Sequence, residues 1–302
     1  MTVTITRLGP EIAGRPFVGE VSGVDLCRPI TRDEVAAIEA GMDEYAVLVF
    51  HDQPFTDEQQ AAFSRNFGDL EQSGTASNVT KPEDRRLAMR EIADISNLDK
   101  NNRIFGRDDR QRMFNLGNRL WHSDSSFKAT PAKYSLLSGR IVPGKGGNTE
   151  FADMRAAYDA LDDATKAEIE DLVCEHSLIY SRGLLGFTEL SEAERASFKP
   201  VLQRLVRTHP VTGRKSLFLS SHIGGIVGWP MPEARSFIRD LMEEATRREF
   251  VYSHQWRQHD LVMWDNRQTM HRARRFDETG EVRDMRRTTV AGDAPTVQQA
   301  AA

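Results

Sequence analysis

Short apolar runs separated by turn-forming residues occupy much of the chain, and their spacing constrains the fold more than any other feature. The clearest runs are AVLVF (46–50), YSLLSGRIV (134–142), SLFLS (216–220), FVYSHQW (250–256), DLVMW (260–264) and RRTTVAG (286–292). Each run has the length of a β-strand, and the runs do not alternate regularly with helices as they do in a doubly wound α/β protein. The sequence therefore predicts a mainly β fold, an antiparallel sandwich or jelly roll with flanking helices.

Helices are predicted at four places around these strands. Capping boxes predict two helix starts. In the first, Thr31 is followed three residues later by Glu34, and in the second, Thr56 is followed by Gln59. A longer helix is predicted over 153–173, and another begins near Pro232, which suits the first helical position, and runs to residue 250.

The segment 75–113 is polar, charged and poorly periodic. Loops of this length often act as lids or binding loops, so we expect a mobile loop of that kind here.

The length and composition allow one large domain or two, and because no Pro/Gly/Ser-rich linker divides the chain, one compact domain is expected over residues 1–291. The chain has 302 residues, of which 39% are hydrophobic, and it ends in the small polar stretch GDAPTVQQAAA (292–302), for which we expect disorder. A net charge of −5 with both signs mixed argues against nucleic acid or a membrane surface as a partner. The N-terminus does not resemble a signal peptide, and Cys27 and Cys174 form no CxxC motif, so a cytoplasmic location is predicted.

The stretch LWHSDSSF (120–127) contains the polar pair that points most directly to chemistry. His122 and Asp124 are two residues apart, so on an extended strand both side chains point to one face. Far downstream, His271 follows the strand-like DLVMW and an Asp265-Asn266 turn signal. Two histidines and one carboxylate form the facial triad of non-haem Fe(II) oxygenases, which leaves metal positions open.

Other metal and catalytic sites fit the sequence less well. A hydrolytic zinc site usually has more histidines or a cysteine, and neither an HExxH nor a GxSxG motif is present. Arg283 and Arg287 are four residues apart and would share one face of a strand. They are either a solvated basic strand end or two guanidinium groups that each bind an anion.

Taken in order, four stretches resemble the TauD/TfdA family of Fe(II)- and 2-oxoglutarate-dependent dioxygenases. They are WHSDSSF, GGNTEF, LVMWDNRQTMH and an R-x-x-x-R pair, and the resemblance runs from GVDL (23–26) to about Thr289. The stretches MDEYAVLVF, ADISN, EFADMRAAYDAL, SRGLLG and REFVY are most similar to the branch that acts on 2,4-dichlorophenoxyacetate. The resemblance implies a double-stranded β-helix core, with Fe(II), 2-oxoglutarate and O2 as cofactor and cosubstrates.

The resemblance also implies roles for nine residues. The iron ligands would be His122, Asp124 and His271; 2-oxoglutarate would be held by Thr149, Arg283 and Asn118; the substrate would contact Arg287, Ser125 and His222. The spacing from His271 to Arg283 is one residue longer than in the branch that acts on 2,4-dichlorophenoxyacetate, so the choice of Arg283 over Arg286 depends on the alignment. In the loop 72–90, Asn78 and Lys81 are both candidates for a further substrate contact.

The activity implied by the resemblance is hydroxylation of the carbon next to the ether oxygen of an aryloxyacetate. The products would be a phenol, glyoxylate, succinate and CO2. A related dioxygenase for another small anion, such as a phenoxypropionate, an alkylsulfonate like taurine or an aryl acid, is the alternative. A zinc hydrolase and a cupin-like binding module are the alternatives outside the family. The expected partner is a small anionic aromatic substrate, and a homo-oligomer is expected.

Overall fold

The computed structural model describes residues 2–73 and 79–298, and its core consists of β-strands. The strands are β1 (Thr4–Arg7), β2 (Val18–Ser22), β3 (Val47–Phe50), β4 (Ala93–Asp94), β5 (Tyr134–Ile141), β6 (Thr149–Asp153), β7 (Val173–His176), β8 (Val201–Arg204), β9 (Val206–Thr208), β10 (Lys215–Leu217), β11 (Ile223–Ile226), β12 (Val251–His254), β13 (Leu261–Asp265), β14 (Thr269–Ala273) and β15 (Asp284–Val290). The α-helices in these ranges are α1 (Arg32–Tyr45), α2 (Asp57–Ser64), α3 (Arg110–Asn115), α4 (Met154–Asp159), α5 (Asp163–Ile169), α6 (Leu178–Leu184), α7 (Glu192–Ser197) and α8 (Met231–Ala245).

The strands form one large sheet and three small ones. The large sheet has the order β1-β2-β3-β13-β5-β15-β4, and a second sheet has the order β12-β6-β14. The remaining sheets are β11-β7-β8 and β10-β9. Among the described residues only β2 and β3 pair in parallel. The prediction of a mainly β sandwich with flanking helices is confirmed.

Strand β3 shows how the large sheet is packed on both faces. Val47 and Val49 belong to the apolar cluster between the sheets, whereas Leu48 and Phe50 belong to the cluster beneath α1 and α2. All four side chains are fully buried, so the strand has the continuous apolar sequence of a central strand. Side chains alternate between the two faces of a strand, so AVLVF supplies both layers at once.

The large sheet and the β12-β6-β14 sheet face each other across the first cluster. Trp264 of β13 packs against Phe151 of β6, with ring centroids 5.4 Å apart. His271 lies on β14, and Arg287 lies on β15 of the opposite sheet. The space between the two sheets therefore brings together residues that are far apart in sequence.

The helix predicted over 153–173 was wrong, because the chain forms two short helices there. Asp153 caps α4, and Asp162 caps α5 by accepting a hydrogen bond from the Thr165 backbone N–H. A second capping aspartate inside a helix-forming stretch starts a new helix, since its side chain satisfies the first free N–H groups. Both capping boxes, at Thr31 and Thr56, are confirmed.

Other boundaries differ by a few residues. The strand predicted at 216–220 is shorter, since β10 ends at Leu217, and α8 begins at Met231, so Pro232 is its second residue. The segment predicted as a loop contains β4 and a 3-10 turn at Pro82–Asp84, and residues 74–78 lie outside the described part.

Disorder was predicted over 292–302; residues 292–298 are described and contain a turn, and 299–302 lie outside the described residues. Thr296–Gln298 form a 3-10 turn, and Thr296 is buried. The Thr296 hydroxyl bonds to the Gln203 side chain at 2.6 Å and accepts from the Arg204 backbone N–H, which holds this turn against β8. None of the helices in the described ranges is long and apolar enough to cross a membrane.

Candidate active site

A cavity of about 370 Å³ opens between the two facing sheets. It is bounded by β5, β6, β14 and β15, by α6, and by parts of the segment 80–98. All nine residues to which the sequence assigned site roles line this cavity. Its volume is in the range typical of small-molecule sites.

His122, Asp124 and His271 converge at one end of the cavity. Their ligand atoms all lie within 4.8 Å of one another, and the three residues are buried. The Nε2 atoms of His122 and His271 are 3.8 and 3.7 Å from the two carboxylate oxygens of Asp124. The backbones of the two histidines are also joined, by N–H to carbonyl bonds of 3.0 and 2.9 Å.

The protonation of these groups suits a divalent metal ion. Burial lowers the pKa of both imidazoles, so each is neutral and offers a lone pair. The Nδ1 atom of His122 lies 2.8 Å from the Leu120 carbonyl, to which it donates, so Nε2 is the free ligand atom. Burial alone would raise the pKa of Asp124, but Arg287 and the two histidines lower it to about 2. Two neutral nitrogens and one carboxylate on one side of an open cavity fit Fe(II).

The backbone between the two ligands is not the strand that the sequence predicted. His122 makes a single bridge to His271, and Asp124 begins a turn in which Ser125 adopts a φ of 55°. The two side chains therefore converge because a turn directs Asp124, not because they share a strand face. The Asp124 backbone N–H donates to the Asn266 side-chain oxygen at 3.1 Å, which fixes this turn.

A chain of buried hydrogen bonds orients the Asp124 carboxylate. The Trp264 indole N–H donates to Oδ1 of Asn266 at 3.0 Å, so the Asn266 amide N–H₂ faces Ser135 and donates to its hydroxyl at 2.9 Å. The Ser135 hydroxyl in turn donates to Asp124 Oδ2 at 2.8 Å. Every direction is set by the indole, which can only donate. Oδ2 is thus occupied, and Oδ1 lies on the side of Arg287, which lines the cavity.

Arg287 contacts the same carboxylate from the cavity side. Its Nη1 lies 2.5 Å from Asp124 Oδ1, and its side chain is partly exposed to the cavity. Its Nε has no hydrogen-bond partner in the described part of the chain. Arg287 can therefore hold a bound anion directly beside the metal ligands.

Thr149 and Arg283 form a second polar group in the cavity. The Trp256 indole N–H donates to the Thr149 hydroxyl oxygen at 3.0 Å, which leaves the Thr149 proton free to donate into the cavity. Arg283 is buried, and burial lowers its pKa to about 10, with Glu278 opposing the shift. Its backbone N–H donates to the Asn97 side chain at 2.9 Å, which positions the residue before β15 begins.

The structure separates Arg283 from Arg286, the alternative left by the alignment. Arg283 lines the cavity, whereas Arg286 forms an ion pair with Asp284 and lies 3.5 Å from Asp57 on the helical side of the sheet. An arginine already paired with two carboxylates is a poor binding group for a further anion. The geometry therefore favours Arg283.

The remaining predicted residues lie around the cavity wall. Asn118 belongs to the 3-10 turn that precedes His122, and the Ser125 hydroxyl donates to Glu71 at 2.7 Å, so Ser125 offers its backbone to the cavity. The buried His222 ring lies 5.8 Å from that of His122. Lys81 is exposed and does not line the cavity. The other candidate of that loop, Asn78, lies outside the described residues.

Several residues that hold the cavity side chains in place were missed by sequence reasoning. Asn266 was interpreted as a turn signal, yet its side chain joins Asp124 to Ser135 and Trp264. Trp256 and Ser135 carry no local signal, because their partners are distant in the chain. The Asp-Asn-Arg sequence after strand β13 indicated a turn. A turn signal alone does not indicate that the asparagine side chain is buried and forms hydrogen bonds.

Comparison with known proteins matches nearly the whole chain. The family model described as "Taurine catabolism dioxygenase TauD, TfdA family" matches residues 5–289. An alpha-ketoglutarate-dependent 2,4-dichlorophenoxyacetate dioxygenase from Cupriavidus pinatubonensis is 48% identical over 92% of this chain and 96% of its own. An (S)-phenoxypropionate/alpha-ketoglutarate-dioxygenase from Sphingobium herbicidovorans is 39% identical over 85% of each chain.

Comparison with solved structures also gives matches over nearly the whole chain. The crystal structure of AAD-2 in complex with Mn(II) and N-oxalylglycine is similar, with a TM-score of 0.93 and 61% identity. That similarity covers 98% of this chain and all of the other. A taurine dioxygenase from Burkholderia xenovorans is more distant, with a TM-score of 0.75 and 28% identity over 97% of this chain and 90% of its own.

Proposed function

We propose, because this chain belongs to the TauD/TfdA family of dioxygenases, that it hydroxylates the carbon between the ether oxygen and the carboxylate of an aryloxyacetate such as 2,4-dichlorophenoxyacetate. The enzyme uses Fe(II), 2-oxoglutarate and O2. The observation that carries the proposal is the buried convergence of His122, Asp124 and His271 beside two anion-binding groups in one cavity. Relatives that are 48% and 46% identical are dioxygenases of 2,4-dichlorophenoxyacetate.

The iron would be held by His122 Nε2, His271 Nε2 and Oδ1 of Asp124. When bound, iron and 2-oxoglutarate together supply the oxidant that turns a C–H bond into C–OH with release of succinate and CO2. Ser135 donates to the other Asp124 oxygen, so a metal on Oδ1 would replace the contact that Arg287 makes with that oxygen in this structure. Neutral imidazoles need no deprotonation on binding, which favours metal uptake near neutral pH.

The distal carboxylate of 2-oxoglutarate would be held by Arg283 and Thr149. Trp256 leaves the Thr149 hydroxyl with a proton to donate, and the buried guanidinium of Arg283 has no carboxylate partner in the described residues. A bound carboxylate would therefore satisfy both groups. Asn118, at the end of the 3-10 turn before His122, would contact the same cosubstrate.

The substrate carboxylate would be held by Arg287. Because Arg287 also contacts Asp124, the carbon next to the substrate carboxylate is placed close to the metal ligands. The backbone at Ser125 and the His222 ring would contact the rest of the substrate. Hydroxylation of that carbon gives a hemiacetal, which collapses to a phenol and glyoxylate.

The first experiment measures succinate release with Fe(II), 2-oxoglutarate and O2 over aryloxyacetates, phenoxypropionates, cinnamates and alkylsulfonates. An aryloxyacetate is expected to give the highest kcat/KM. Preference for taurine would overturn the substrate assignment but not the oxygenase. Anaerobic addition of Fe(II) and 2-oxoglutarate is expected to give a visible charge-transfer band, and its absence would favour a zinc hydrolase or a cupin-like binding module.

Two further proposals concern the enzyme in the cell. A cytoplasmic location is supported by the two cysteines, Cys27 and Cys174, which are both free thiols.

The homo-oligomer stays a prediction from the family resemblance, and light scattering of the purified protein tests it. A mass of one chain, 34.1 kDa, would contradict it.

A further inference from the structure

Buried arginines in this protein fall into two groups. The buried arginines in the described ranges are Arg155, Arg182, Arg267, Arg283 and Arg286. Three of these form ion pairs, with Asp153, Asp265 and Asp284. Arg182 and Arg283 have no carboxylate partner among the described residues, and both line the active-site cavity. A buried cation is costly unless an opposite charge or hydrogen bonds compensate it, so these two require an explanation.

The surroundings of Arg182 hold the guanidinium group but satisfy little of it. Its carbon lies 4.3 Å from the ring centre of Phe114, and on the other side it packs so closely on Gly117 that a Cβ there would lie 2.4 Å away. Nη1 donates to the Ser181 hydroxyl at 3.0 Å, and Nε has no hydrogen-bond partner within 2–73 and 79–298. Burial alone lowers the pKa of Arg182 to about 10, so it remains charged at neutral pH.

The neighbouring histidine adds no positive charge to this wall. The Ser181 hydroxyl donates to the Leu178 carbonyl at 3.1 Å, so its oxygen accepts from both Arg182 and Nδ1 of His222. His222 therefore carries its proton on Nδ1, and burial lowers its pKa well below the usual value. Arg182 lies over Phe114, which belongs to an apolar cluster with Leu178, Leu190 and Phe198.

We propose that Arg182 binds an electronegative substituent on the aromatic ring of the substrate, such as a halogen or a nitro or carbonyl oxygen. This inference rests on the proposed function and narrows its substrate class to aryloxyacetates with a hydrogen-bond acceptor on the ring. Arg283 and Arg287 already account for the carboxylates of 2-oxoglutarate and substrate. The ring is the part of the substrate left to reach the wall of α6, where Phe114 and Phe127 also line the cavity.

The test compares wild-type enzyme with Arg182→Met, which keeps a stem between Phe114 and Gly117 but lacks N–H donors. Phenoxyacetates with a methyl, chloro or nitro group at ring position 2, 3 or 4 are titrated into protein loaded with Mn(II) and N-oxalylglycine. The wild type is expected to bind the chloro or nitro isomer at one position roughly 10- to 100-fold more tightly than the methyl isomer. Arg182→Met is expected to lose this preference and bind the methyl isomer unchanged.

A matched control is Arg207→Met. Arg207 is also a guanidinium group over a phenyl ring, 4.7 Å from that of Phe218, and burial lowers its pKa to about 10 as well. Because Arg207 does not line the cavity, its replacement is expected to leave the ring preference intact. Loss of preference in both variants would overturn the inference, since the effect would then be structural.

Failure of the inference and of the proposed function give different results. Equal affinity of the wild type for methyl, chloro and nitro isomers, together with turnover of aryloxyacetates, overturns the role of Arg182 alone. This comparison uses only the wild-type enzyme, so it tests the role of Arg182 even if Arg182→Met does not fold. Absence of turnover with every aryloxyacetate overturns the proposed function and this inference with it. Arg182→Lys, which keeps the charge, is expected to restore part of the preference.

Discussion

Two clusters of polar side chains beside the cavity differ in how fully their hydrogen bonds are satisfied. On the strand side, Trp264, Asn266, Ser135 and Asp124 form a chain in which each donor has one acceptor. On the α6 side, Nε of Arg182 has no hydrogen-bond partner, and its guanidinium group has no carboxylate partner, among the described residues. A fully satisfied network fixes one geometry, whereas an unsatisfied group carries a cost that a ligand can offset. We therefore propose that the hydrogen-bonded chain positions the metal and that Arg182 recognises the substrate.

The largest expected effect follows from removing the carboxylate to which the chain of hydrogen bonds leads. Asp124→Ala removes one of three metal ligands. Loss of a residue that only supports a ligand typically lowers metal affinity by up to roughly 100-fold, so the fall in Mn(II) affinity is expected to be larger than that. Isothermal titration measures the affinity, and circular dichroism checks that the fold is retained. Unchanged turnover with Fe(II) in this variant would contradict the metal site.

The next effect concerns the orientation of that carboxylate. Ser135→Ala leaves all three ligands but frees Asp124 Oδ2, so Mn(II) affinity is expected to fall roughly 10- to 100-fold. Ser138→Ala is the matched control, because Ser138 lies on the same strand and bonds to Gln60 instead. If both variants bind Mn(II) like the wild type, the hydrogen-bond chain does not position the metal.

A smaller effect is expected at the cosubstrate end of the strand side. Trp256→Phe removes the indole donor to Thr149, so the KM for 2-oxoglutarate is expected to rise about 10-fold, as for loss of a hydrogen bond near a charged group. The KM for the aryloxyacetate should change little. Trp229→Phe, in which the ring packs on Phe237 away from the cavity, serves as the control. Equal increases in both KM values would indicate a general loss of structure.

The smallest effect on catalysis is expected at His176, which lies just before α6. Its replacement is expected to change the stability of the fold and not the turnover. His176 is fully buried, neither of its ring nitrogens has a hydrogen-bond partner in the part of the chain that the structure describes, and burial lowers its pKa to about 3. The unfolded chain binds a proton below about pH 6.5, whereas the folded chain does not, so stability is complete above that pH and falls as the pH decreases.

Between pH 7 and pH 5 this single group is expected to cost about 2 kcal/mol of the free energy of unfolding. His176→Phe should remove that part of the pH dependence, which urea unfolding at the two pH values measures. The same slope in wild type and variant would show that His176 is protonated in the folded protein.

Sequence patterns predicted those parts of the site that depend on residue type and local spacing. The His-x-Asp pair, the remote His271 and the two arginines were identified in this way, and all of them line the cavity. The reason given for the pair was incomplete, because a turn and not a strand places Asp124. Local pattern identifies which side chains are available, and the tertiary fold decides how they are aimed.

The parts that were missed depend on long-range contacts. Asn266 and Ser135 are 131 residues apart, and Trp256 and Thr149 are 107 apart, so neither pair produces a pattern in the sequence. The helix break near Asp162 was missed for a different reason. Helix-forming residues continue through it, and the competition between two capping aspartates is visible only when the cap hydrogen bonds are known.

The central claim is that the triad and the two anion-binding arginines form an aryloxyacetate dioxygenase. The most direct measurement is the amount of phenol and of succinate formed from 2,4-dichlorophenoxyacetate in the presence of Fe(II), 2-oxoglutarate and O2. Equal amounts of the two products are predicted in the wild type, with neither formed by Asp124→Ala. Succinate without phenol in the wild type, or phenol formation that does not require 2-oxoglutarate, would contradict the account.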